Sequence, residues 1–173
     1  MWQHAIVPIA TGALLGAAVL LLILASLRDI ATRIVPNAIP LALAIIATLL
    51  AAFEGHLGWG LFSGALVFAF AFLCWRMHWI GGADVKMAGA AAILVPPASA
   101  ASFVLATSLA GGALAVVYLV MRTLTAGPSP VRVDARHDSL IRRVLRAERW
   151  RIHRGCPLPY ACAIATGALL MLR

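Results

Sequence analysis

Residues 6–27 read IVPIATGALLGAAVLLLILASL, and residues 28–37 continue RDIATRIVPN. The first stretch carries no charge and has the length a helix needs to cross a bilayer, about 20 apolar residues. Polar and apolar residues do not alternate in it, so a strand reading fails. The second stretch sets an acid, Asp29, between Arg28 and Arg33 and then breaks the helix pattern at Pro36-Asn37.

The same pattern repeats along the chain. Apolar runs follow at Ala38–Phe53, Leu57–Trp75, Ala83–Val95, Ala98–Met121 and Pro157–Leu172, the fourth being short and stopped by Pro96-Pro97. Hydrophobic residues make up 63% of the 173 residues and charged ones 12%, and mean hydropathy is +0.97. A soluble domain holds about 25% charged residues, so the composition excludes an ordinary soluble enzyme. The expectation is an all-α membrane protein, a polytopic bundle of about six transmembrane helices, forming one domain over residues 1–173. Met1-Trp2-Gln3-His4 supplies no basic leader and no small-residue cleavage site closes the first run, so that run is expected to be a retained span.

Charge orients the bundle. Of the 14 Lys and Arg, all except Arg173 fall in or beside the loops that follow spans one, three and five. The positive-inside rule puts those loops in the cytoplasm and both termini outside. Asp29 then ends an inward-running span and Asp84 begins an outward-running one, so both carboxylates belong to the same membrane face.

Small residues offer some packing signals. Gly12 and Gly16, and Gly60 and Gly64, have the small-x-x-x-small spacing that lets helices approach. The string Ile-Ala-Thr-Gly-Ala-Leu-Leu occurs at 9–15 and again at 164–170 without extending further, so it is read as biased composition. Cys74, Cys156 and Cys162 fit no metal-ligand spacing and read as small apolar residues.

The chain holds only six acids, and an ionisable group at a membrane boundary is a functional candidate. Each aspartate also has a plain structural reading. Asp29 could pair with Arg33 four residues on. Asp84, in Ile80-Gly81-Gly82-Ala83-Asp84-Val85-Lys86, could be the N-cap of the fourth helix, with Gly81-Gly82 as its turn. Together, at two span ends on one face, they suggest acid–base chemistry on water.

Asp29, followed seven and eight residues later by Pro36 and Asn37, resembles the first aspartate motif of prepilin peptidases. Gly81-Gly82-Ala83-Asp84-Val85-Lys86 resembles their second, Gly-x-Gly-Asp, with Ala83 where the motif has the glycine before the acid. Leu158-Pro159-Tyr160 and the apolar run after it are similar to the family's Pro-Tyr-containing last helix. The resemblance implies a membrane aspartic endopeptidase with Asp29 and Asp84 as catalytic pair. It implies that Gly81, Gly82, Lys86, Pro36 and Asn37 shape the site or bind substrate. The implied substrate is a prepilin-like precursor with an N-terminal hydrophobic helix, cut at the cytoplasmic face of the bacterial inner membrane, and no cofactor or metal is implied. The chain lacks Cys-x-x-Cys and has only a short connection between its first two spans. It therefore resembles the short form without a methyltransferase insert that serves tight-adherence (Flp) pili.

The basic loop at about 123–156 is the other unusual region. Asp138-Ser139 could cap a helix with Leu140, Ile141, Val144 and Leu145 on one side and arginines around them. Such a helix would lie on anionic membrane lipid. Nucleic acid is not an expected partner, because no base-reading motif accompanies the charge. His137 and His153 match no metal spacing. The competing function is a non-enzymatic six-helix transporter or an assembly subunit. A transporter would hold its charges mid-span on broken helices.

Overall fold

A computed structural model describes residues 3–124 and 158–172, with side chains from residue 7 onward. Six α-helices and one short 3-10 turn occur among these residues, and no strand. They are α1 (Gln3–Thr32), α2 (Ala38–Phe53), α3 (Leu57–Arg76), α4 (Gly82–Leu94), α5 (Ala100–Leu124) and α6 (Tyr160–Met171). The expected basic surface helix lies outside the described residues.

The outer surface is apolar. Ile9 is 73% exposed and Trp59 70%, and Leu20, Leu66, Phe62 and Leu109 stand out with them. A soluble protein does not carry apolar surface on this scale. Three helices are long and apolar enough to span a bilayer: Val7–Thr32, Leu57–Arg76 and Pro97–Leu124. The protein is an all-α membrane protein.

The short helices lie inside. α4 has 13 residues, about 20 Å at 1.5 Å per residue, less than the roughly 30 Å of a hydrocarbon core. It packs against α2, α3 and α6. Its buried face is made of small residues, Gly89, Ala90, Ala91 and Ala92, with Met87 and Leu94. These let the neighbouring helices approach closely. Ser63 of α3 donates to the carbonyls of Gly60 (2.9 Å) and Ala92 (3.2 Å), which ties α3 to α4. α4 ends at Val95 because Pro96 and Pro97 cannot continue it.

Of the two glycine pairs, only one makes close contact. Nothing lies within 4 Å of a Cβ placed at Gly12 or Gly16. At Gly60 such an atom would stand 3.3 Å from Ala51, and at Gly64 it would meet Ile93.

Candidate functional site

α1 is longer than its apolar run. It continues through Asp29 to Thr32, so Asp29 occupies the last turn. Arg33 then adopts φ 58° and its N–H donates to the Asp29 carbonyl (2.9 Å). This is a left-handed helix stop, which usually takes glycine because a side chain costs about 1–2 kcal/mol there. The turn sends the Arg33 guanidinium to α5, where it donates to the Tyr118 hydroxyl (3.1 Å) and lies 5.7 Å from the ring centroid.

Asp29 is 7% exposed. Its Oδ2 accepts the backbone N–H of Ala161 at 3.0 Å. Ala161 is in the first turn of α6, where N–H groups lack helical partners and the helix dipole favours an anion. The carboxylate of the first helix thus caps the last. Cys162 lies alongside and its Sγ approaches the Ser26 carbonyl at 3.7 Å.

Asp84 is in the first turn of α4 but is not its N-cap, which is Gly81 in extended conformation. The Asp84 carboxyl turns back toward Gly81, as the third residue of a capping box does. A Cβ on Gly81 would stand 3.0 Å from Asp84 Oδ2, so any side chain there crowds the carboxylate. Gly82 faces the Trp75 indole. Ala83 is helical, and among the described residues only Arg33 and His78 combine positive φ with a side chain. Alanine therefore satisfies this position without strain.

The two aspartates come from different helices, and the charge of Asp29 acts on Asp84. Tyr160 stands beside Asp84, its ring held against Gly111 of α5. Asp84, Tyr160, Cys74, Thr107, Phe103 and Ile164 line a cavity of about 80 Å³ between α3, α4, α5 and α6. α3 and α5 meet only sparsely along this side. Two carboxylates in such a setting can share one proton and act on water as an acid and a base.

The other expected site residues form a second group. Lys86 Nζ donates to Asn37 Oδ1 at 2.9 Å, which clips the start of α4 to the start of α2. Pro36 is exposed in the α1–α2 turn, and its carbonyl accepts the Ile39 N–H at 3.0 Å. Sequence reasoning did not assign Tyr160 to the site; its only signal was the Pro159-Tyr160 pair at the start of the last helix.

The chain is a helical membrane protein with two acids at the ends of two different helices. The sequence profile described as the type IV leader peptidase family matches residues 16–116, a stretch that includes both aspartates. The chain belongs to that family and is a peptidase of the type IV leader peptidase kind. No curated protein and no solved structure matches it.

Proposed function

We propose that the protein is an aspartic endopeptidase that removes the leader from prepilin-like precursors, with Asp29 and Asp84 as its catalytic pair. The observation that carries this reading is that Asp29, in the last turn of α1, and Asp84, in the first turn of α4, lie within electrostatic reach of each other. One carboxylate, ionised, takes a proton from water as the oxygen attacks the scissile carbonyl. The other, protonated, hydrogen-bonds the carbonyl oxygen as it gains charge. The tetrahedral intermediate collapses as the C–N bond breaks, and the leaving nitrogen receives the proton.

The cavity beside Asp84 lies between the sparsely touching α3 and α5, which suits a substrate whose cleavage site adjoins a membrane helix. The arginine distribution supports a site at the cytoplasmic face of a bacterial inner membrane. The short α1–α2 connection supports a reading without a methyltransferase insert at that position. The substrate class comes from the family, with pilus or secretion systems as its setting.

The test is cleavage of a prepilin in detergent or vesicles by Asp29→Asn and Asp84→Asn at equal protein abundance. Each should abolish leader removal. Near-normal cleavage by either variant ends the paired-aspartate reading.

A further inference from the structure

A second cavity lies apart from the one beside Asp84. A groove of about 570 Å³ runs between α2 and α3, with α4 as its floor. Its floor residues are Lys86, Gly89, Ala90 and Ile93. Those positions form one stripe of a helix, at spacings of three and four. Asp84 and Ala88 line the cavity beside the aspartates. Two residues correspond to about 200° of helix rotation, so Lys86 points away from Asp84. α4 therefore separates the groove from the candidate catalytic pair, and a peptide lying in the groove would have α4 between its backbone and Asp84.

The groove is amphipathic along its length. Apolar side chains line most of it, including Pro40, Leu41 and Phe68. At one end stand the Lys86 ammonium and the Asn37 amide, joined at 2.9 Å. An ammonium has three N–H donors, and Asn37 accepts one. Lys86 is exposed, and no carboxylate pairs with it among the described residues. A cation at a span end, above an apolar trough open to the bilayer, matches a molecule with an anionic head and a hydrocarbon tail.

We propose that the α2–α3–α4 groove is a binding site for one anionic phospholipid, with an acyl chain against the exposed Leu41, Leu61 and Phe68 and the phosphate at Lys86. Asn37 orients the ammonium and keeps it over the groove end. The site is separate from the aspartate pair, and the proposal holds whatever reaction the pair catalyses.

Native mass spectrometry of the full chain, released from nanodiscs of equal phosphatidylglycerol and phosphatidylcholine, tests it. The wild-type protein should retain phosphatidylglycerol in preference to phosphatidylcholine. Lys86→Gln should lower that preference about five-fold, the amount expected for one lysine at an anionic surface. Ala65 is exposed and lines the groove, so Ala65→Trp should fill the trough without disturbing the core and reduce retention of both lipids. Unchanged lipid retention in both variants would overturn the site. So would a photoreactive residue at position 65 that captures a prepilin and no lipid. Lipid retention is read without any cleavage, so failure here is distinct from failure of the peptidase reading.

Discussion

At the residue scale, Asp29 caps α6 and is proposed to act in catalysis, two roles that substitution can separate. An amide oxygen still accepts the Ala161 N–H, so Asp29→Asn should keep α6 capped while losing leader cleavage. Asp29→Ala should lose both, with a further destabilisation of about 1 kcal/mol, typical of a lost helix cap. Thermal unfolding in detergent beside a cleavage assay distinguishes the two variants. Glu54 pairs with His56 (2.8 Å) in the α2–α3 turn, so Glu54→Gln should leave cleavage unchanged. The acids were legible in sequence because the chain has so few. The Ala161 contact was not, since it joins positions 132 residues apart. The Tyr118 contact of Arg33 was not legible either, since it follows from a left-handed turn that carries the side chain to α5.

At the element scale, span limits were readable because Pro36, Gly55 and Pro96-Pro97 interrupt the apolar runs. The inner position of α4 and α6 was not, since hydropathy does not distinguish a lipid-facing helix from an enclosed one. The repeated string shows the difference. Gly12 and Gly167 sit in identical heptapeptides, but Gly12 has open space around it. A Cβ at Gly167 would meet the Thr107 hydroxyl and lie 2.9 Å from the Thr107 backbone nitrogen. Gly12→Ala should therefore be neutral or slightly stabilising. Gly167→Ala should destabilise by about 1–3 kcal/mol, as overpacking of a tight contact does. Denaturant or thermal unfolding of both variants checks this contrast. The contrary ranking would mean that α5 and α6 are not packed through Gly167.

At the scale of the whole molecule, the charge asymmetry makes an orientation prediction. With the native cysteines replaced, cysteines at Arg28 and His78 should resist a membrane-impermeant thiol reagent applied from outside intact cells. Labelling of either site from outside would separate the two aspartates across the membrane. The expected sidedness rests on arginine counting, and the basic segment that dominates the count falls largely outside the described residues. The bond from Asp29 to Ala161 also sets an order of events. Domains and helices emerge from synthesis N-terminal part first. The first helix thus waits, with its carboxylate lacking this partner, until the last helix is in place. A partly synthesised chain would carry both acids before the Ala161 N–H is there to meet one of them.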